Sequence, residues 1–143
     1  MPPAHPDMQT ESNRTMGFST PALHVLEDFS RSMGFHRISP ADDGSVTFAL
    51  DRAGLLCFTP AANGNRILVS LKRQHAQTQA DDLLDFFRLS RWDSFLGVSI
   101  NAGMSADNGF VLVANLHQTQ FSVQLVEACV DQLISLHDGW LSA

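Results

Sequence analysis

Residues 97–141 read GVSINAGMSADNGFVLVANLHQTQFSVQLVEACVDQLISLHDGWL. Two short apolar runs, residues 96–100 and 110–116, flank the turn-rich segment 101–109. Apolar runs joined by such a polar, glycine-containing segment are typical of paired β-strands. Residues 121–141 then repeat apolar side chains at steps of three and four, the spacing of an amphipathic helix. The stretch therefore predicts two strands followed by a closing helix.

The sequence upstream predicts a helix, three strands and a second helix. Ser19 supplies a helix-capping hydroxyl, and Pro21 suits the first turn of a helix that ends near Gly34. Short turns that contain glycine separate three apolar strands, as in an antiparallel meander. A second apolar helix follows, with Thr78 as its predicted cap. The predicted strands are residues 46–50, 55–59 and 67–71, and the predicted second helix is residues 79–91.

This order predicts an α+β fold, α-β-β-β-α-β-β-α, in which a mostly antiparallel five-stranded sheet packs with three helices. Residues 1–18 are expected to form a disordered tail, because prolines are crowded there among polar residues without periodicity. Residues 19–143 are expected to form a single domain. A chain of 143 residues is long enough to bury a hydrophobic core.

The composition favours a binding protein over several other classes. The formal net charge is −6 and no basic stripe is present, which argues against nucleic acid as a partner. No apolar run approaches the roughly 20 residues that cross a bilayer. Cys57 and Cys129 are isolated, so we expect both to be free thiols that pack as small buried apolar side chains. Free thiols are typical of a reducing cytoplasm. No signal peptide is expected, because the N-terminal residues do not form a basic region followed by an apolar run.

No cluster of catalytic residues is evident in the sequence. The six histidines lack the spacing of a zinc helix, and no serine lies in a nucleophile-elbow motif. Asp81, Asp82 and Asp85 are interpreted as acids favoured by the dipole at a helix start, although a carboxylate cluster is also a possible metal site. We therefore expect no enzymatic activity, no metal and no cofactor.

The predicted strands are apolar on both of their faces. In residues 110–116, for example, Val111 and Val113 alternate with Phe110 and Leu112. An antiparallel sheet covered by helices on one side usually shows polar residues on the other. Two interpretations remain open. Either a partner covers the second face, or the second helix packs there, opposite the first and third, within a monomer.

Three segments carry a resemblance to a known family. They are LHVLEDF at residues 23–29, DLLDFF at residues 82–87, and GFVLVANL at residues 109–116 before the long terminal helix. Together they make the chain similar to the class I chaperones of type III secretion systems, the Tir-chaperone or CesT-like group. The resemblance covers about residues 20–141. The proline-rich tail and the run FFRLSRW at residues 86–92 depart from the family pattern.

The resemblance implies an ATP-independent homodimer in the bacterial cytoplasm. Such a dimer binds the N-terminal region of a secreted effector and keeps it soluble and competent for secretion. Carried onto this chain, the implied dimer contacts are Leu84, Phe87, Val98 and Ile100. The implied client contacts are Leu23, Leu26, Val46, Phe48 and Leu50. Core packing is the alternative for each of these residues, and a small-ligand-binding or regulatory domain is the alternative function.

Overall fold

The structure, a computed structural model, describes residues 17–35, 38–61, 64–75 and 80–142. Within these ranges the chain forms three α-helices and six β-strands. In chain order they are α1 (Thr20–Ser32), β1 (Val46–Leu50), β2 (Gly54–Pro60), β3 (Arg66–Arg73), α2 (Ala80–Phe87), β4 (Arg91–Asp93), β5 (Val98–Met104), β6 (Phe110–His117) and α3 (Val123–Ser142). The predicted tail up to residue 16, and the predicted cap Thr78, lie outside the described residues.

The strands form one sheet in the order β1-β2-β3-β6-β5-β4, and every neighbouring pair is antiparallel. The sheet consists of two three-stranded meanders, and α2 lies in the connection between them. The meanders join where β3 pairs with β6, so that Val69 lies opposite Ala114 near the centre. The predicted α+β fold is confirmed, but the sheet has six strands where the sequence predicted five.

The additional strand, β4, lies where the sequence predicted the end of the second helix. α2 ends at Phe87, and residues 91–93 pair with β5. A tight turn follows β4, because the Asp93 carboxylate accepts a hydrogen bond from the Leu96 N–H (2.9 Å) and Gly97 has a φ of 71°. Gly97 has no side chain to oppose this left-handed conformation. Since the turn occupies residues 94–97, β5 begins at Val98, two residues after the start of the apolar run 96–100.

The ends of the other helices follow local capping chemistry. The Ser19 hydroxyl accepts a hydrogen bond from the Ala22 N–H (3.3 Å), which confirms the predicted start of α1. α3 starts later than predicted, because residues 118–120 form a 3-10 turn and the Ser122 hydroxyl then accepts from the Leu125 N–H (3.1 Å). Phe18, which the sequence placed in the tail, is buried in the core.

All three helices pack on the same face of the sheet. Phe29 of α1 contacts Phe58 of β2, with ring centroids 5.6 Å apart. Phe86 of α2 contacts Phe110 of β6 at 4.9 Å and Trp140 of α3 at 5.2 Å. The interpretation that the second helix packs on the face opposite the first and third helices is therefore wrong. Burial of these aromatic side chains away from water is the main stabilising contribution of this layer.

His137 fixes the end of α3 to the sheet. Its ring is fully buried, and Nε2 lies 2.8 Å from the Leu71 carbonyl oxygen of β3. Nδ1 has no hydrogen-bond partner among the described residues. Burial lowers the pKa of His137 to about 4, and the charge of Arg73 acts in the same direction, against the opposing effect of the bond to Leu71. The histidine is therefore neutral at pH 7 and donates from Nε2.

We expect this histidine to make the fold sensitive to acid. The folded pKa of about 4 lies below the ordinary value of 6.5, so the unfolded chain binds the proton first as the pH falls. The contribution of the neutral His137 ring to the free energy of unfolding is complete above pH 6.5. It is lost as the pH falls from 6.5 to 4, by roughly 3 kcal/mol in all. Urea unfolding of the wild type and of His137→Gln across this window measures the difference, since glutamine keeps an N–H donor but does not titrate.

The matched control is His24→Gln, because His24 is exposed on α1. His24→Gln should leave the pH dependence of the unfolding free energy as it is in the wild type. If His137→Gln also left the slope between pH 6.5 and 4 unchanged, protonation of the buried ring would not be the cause.

Candidate functional site

The face of the sheet opposite the helices is the first candidate surface. We call it the open face, because the described helices all pack on the other side. Its apolar side chains are half-buried at the centre, and Leu55 is 39% exposed. Hydroxyl and amide side chains alternate with them. By strand alternation and register the open face comprises Thr47, Ala49, Leu55, Cys57, Thr59, Arg66, Leu68, Ser70, Lys72, Trp92, Ser99, Asn101, Gly103, Val111, Val113, Asn115 and His117.

Both ends of the sheet offer unpaired strand edges. Within the described residues, β1 and β4 each pair with only one neighbouring strand. The backbone N–H and C=O groups on the outer side of such a strand can pair with an added strand. β1 spans five residues and β4 only three, so β1 offers the longer edge.

A second candidate surface lies along residues 84–95, and we call it the aromatic patch. It consists of Leu84 (54% exposed), Phe87 (41%), Trp92 (65%) and Phe95 (93%). Beside it, a groove of about 670 Å³ runs between the β4–β5 turn and α3. Large apolar side chains exposed so close together in sequence usually mark an interface.

The predicted dimer residues divide between this patch and the core. Leu84 and Phe87 are exposed on α2, whereas Val98 and Ile100 are only 2% and 1% exposed. Val98 and Ile100 lie in the core of the subunit and leave no surface for a partner. Trp92 and Phe95 were not among the predicted contacts. Trp92 follows the predicted second helix and lies in β4, whereas Phe95 lies in the turn that the residues from Asp93 to Gly97 form.

The predicted client residues divide in the same way. Leu26, Val46 and Phe48 are buried in the core, at 0%, 1% and 4% exposure, where they help to hold α1 against the sheet. Leu23 and Leu50 are half-buried at the surface. An apolar pattern shows which face of an element is covered, but not whether the subunit itself or a partner covers it. Only Leu23 and Leu50 therefore have surface for a client.

Neither a metal cluster nor a membrane span is found in the described residues. No three histidine, cysteine, aspartate or glutamate side chains converge on one point in those ranges. None of the helices described is both long and apolar enough to cross a bilayer.

No protein-family profile matches this chain, and no curated protein matches it. Solved structures do match. A chain of the ExsC–ExsE complex aligns with a TM-score of 0.68 at 19% identity, over 87% of this chain and 94% of that chain. A chain of the HopA1–SchA chaperone–effector complex aligns with a TM-score of 0.65 at 18% identity, over 87% of this chain and 98% of that chain.

A third match is a chain of the structure of the Yersinia pestis type III secretion chaperone SycH in complex with a stable fragment of YscM2. It aligns with a TM-score of 0.59 at 19% identity, over 80% of this chain and 98% of that chain. The chain therefore has the fold of a type III secretion chaperone.

Thiol labelling tests the exposure of the open face. Cys57 is half-buried on that face, whereas Cys129 is 1% exposed and burial raises its pKa to about 11. Since the thiolate is the reactive form, we expect one thiol per subunit to react with Ellman's reagent at pH 8, and the second only after unfolding. Cys57→Ser should remove the fast phase and Cys129→Ser should keep it. Equal, slow reaction of both thiols would show that the open face is covered in solution.

Proposed function

We propose that this protein is a type III secretion chaperone that binds the N-terminal region of an effector and keeps it soluble and competent for secretion. The observation that carries the proposal is the open face, an apolar sheet surface that no described helix covers. It occurs on a fold shared with proteins solved as chaperone–effector and chaperone–partner complexes. We place this activity in the bacterial cytoplasm.

An extended client segment fits the geometry of this surface. A strand added to the outer edge of β1 would form main-chain hydrogen bonds, and the client segment that continues from it across the open face would contact the apolar side chains of β2 and β3. Leu23 and Leu50 are the half-buried apolar side chains near α1 and the end of β1 that would contact it. Many small contacts over a wide surface offset the ordering cost of an unfolded segment. Binding of this kind uses no ATP, and we propose no catalytic step.

We propose that two copies pair through the aromatic patch. Leu84 and Phe87 on α2 supply the predicted contacts, and Trp92 and Phe95 extend them. In a twofold dimer the same patch is used on both subunits, so one apolar surface covers itself. Large aromatic side chains contribute the most binding free energy when an interface buries them.

The alternative function is a regulatory domain that binds a small ligand. Ligand sites of that kind are usually enclosed and lined by a few convergent polar groups. The groove of about 670 Å³ between the β4–β5 turn and α3 has polar residues, Asp131 and Gln132, along its α3 side. It is nevertheless an open surface groove that borders Trp92 and Phe95, so we favour its use in the dimer.

Phe87→Asp tests the dimer. Because Phe87 is 41% exposed in the subunit, a charge there should leave folding intact but place an unpaired carboxylate in the contact. We expect light scattering to show a dimer for the wild type and a monomer for Phe87→Asp, with similar thermal unfolding of the subunit. Met33→Asp is the matched control, since Met33 directly follows α1 and is 42% exposed, and it should stay dimeric. A monomeric wild type would refute the dimer.

Leu68→Asp tests the client surface. Leu68 is half-buried on the open face of β3, in the centre of the sheet. The probe is a displayed library of random 20-residue peptides, selected on the wild-type protein. We expect enriched peptides with alternating apolar residues, and at least a tenfold loss of affinity in Leu68→Asp by fluorescence anisotropy, about 1.4 kcal/mol. Circular dichroism checks folding, Met33→Asp is the control, and failure to enrich any peptide on the wild type would refute the proposal.

A further inference from the structure

A pocket of about 330 Å³ opens at the end of the sheet where β1 turns into β2. Leu50 and Leu55 form its apolar walls, and Arg52, Lys72 and Arg73 bring three cations to it. None of the residues that line it is acidic. Three of the nine basic residues in a chain of net charge −6 are thus gathered around one small pocket.

The backbone around the pocket is held in place by close packing. Gly54 has a φ of 124°, and a Cβ atom there would lie 2.3 Å from the Lys72 carbonyl oxygen, so a side chain cannot be accommodated. The Arg73 side chain donates from Nε to the Ala53 carbonyl at 2.5 Å. These contacts tie the β1–β2 turn to the end of β3, which fixes the distance between Arg52 on the turn and the two cations on the strand.

The cations keep donors for a further carboxylate. Lys72 forms an ion pair with Asp107 at 2.9 Å and Arg73 with Asp138 at 2.6 Å, but both carboxylates lie outside the pocket lining and are more than half exposed. Lysine has three N–H donors and arginine five, so each pair leaves others available. The Arg52 side chain contacts no carboxylate in the part of the chain that the structure describes.

The open face shows the same excess of basic residues. Its charged or histidine residues are Arg66, Lys72 and His117, and no aspartate or glutamate lies among them. The acidic residues within the described ranges lie instead on the helices, on the turns and on the other face of the sheet. Charge complementarity across an interface selects the correct partner and its register. A segment that docks on this side is therefore favoured when it carries acidic residues.

We propose that the pocket is a carboxylate subsite of the client surface and takes an aspartate or glutamate side chain of the extended client segment. The inference rests on the proposed function. β1 ends at Leu50, so a client strand paired along its outer edge passes Arg52 directly after its last paired residue and turns there onto the open face, towards Leu55 and Lys72. The acidic residue of the client then lies directly after its paired strand, and the apolar client residues beside it contact Leu50 and Leu55. The guanidinium of Arg52 and the ammonium of Lys72 donate charge-assisted hydrogen bonds to its carboxylate.

The experiment uses the peptides selected from the random library on the wild-type protein. We expect aspartate or glutamate to be enriched at one end of the alternating apolar pattern. In the tightest peptide, replacing that acid with glutamine should weaken binding about tenfold, and replacing it with lysine should weaken it further. Arg52→Glu should remove the preference for the acid and favour the lysine peptide, since Arg52 is exposed on a turn and its reversal should not affect folding.

Arg31→Glu is the matched control, a reversal of an exposed arginine on α1 that belongs neither to the pocket lining nor to the open face, and it should keep the preference for the acid. Lys72→Gln is a second variant, which should reduce the acid preference without reversing it. Peptides that bind with no acid preference, or with a preference that survives both Arg52→Glu and Lys72→Gln, would overturn the subsite and leave the chaperone function standing. Absence of any peptide binding to the wild type would overturn both.

Discussion

The contact between the helix layer and one face of the sheet is the interaction on which the rest of this structure depends. Phe29, Phe58 and Phe48 interlock there with ring centroids 5.6 to 5.9 Å apart, and Phe86 fixes α2 to the same layer. Successive side chains of a strand point to opposite faces. When every helix takes one face, half of the strand side chains must point the other way. The open face is therefore a direct consequence of how the core is covered.

The open face has the composition of a binding surface. Its apolar side chains alternate with hydroxyl and amide side chains. The face therefore combines apolar contact area with hydrogen-bonding groups. The aromatic patch differs, because Phe95 lies on the tight turn after β4 and Trp92 on the short edge strand β4, where both side chains are largely exposed. The cations at the β1–β2 end add a third kind of surface. The three surfaces thus differ in chemistry: an apolar sheet face with hydroxyl and amide groups, exposed aromatic side chains, and a group of cations.

Much of the fold was predictable because local chemistry specifies it. The Ser19 cap, the glycine-containing turns and the two periodicities define α1, the first meander and α3 within a few residues. β4 was not predictable in this way, since three residues carry too little pattern and their pairing depends on β5. The sequence could not separate surface from core among the predicted site residues. Leu84 and Phe87 lie at the surface, but Val98, Ile100, Leu26, Val46 and Phe48 were assigned to interfaces and lie in the core.

The sequence by itself determined the order of the three helices and of five of the six strands, the acidic balance and the amphipathic helices, because propensity, capping and periodicity act over a few residues. Only the tertiary structure decided which apolar face of each strand is buried, since that depends on which side the helices take. It also decided that Arg52 meets Lys72 and Arg73. These residues are distant in the chain, and they come together because the β2–β3 register places Leu55 opposite Lys72.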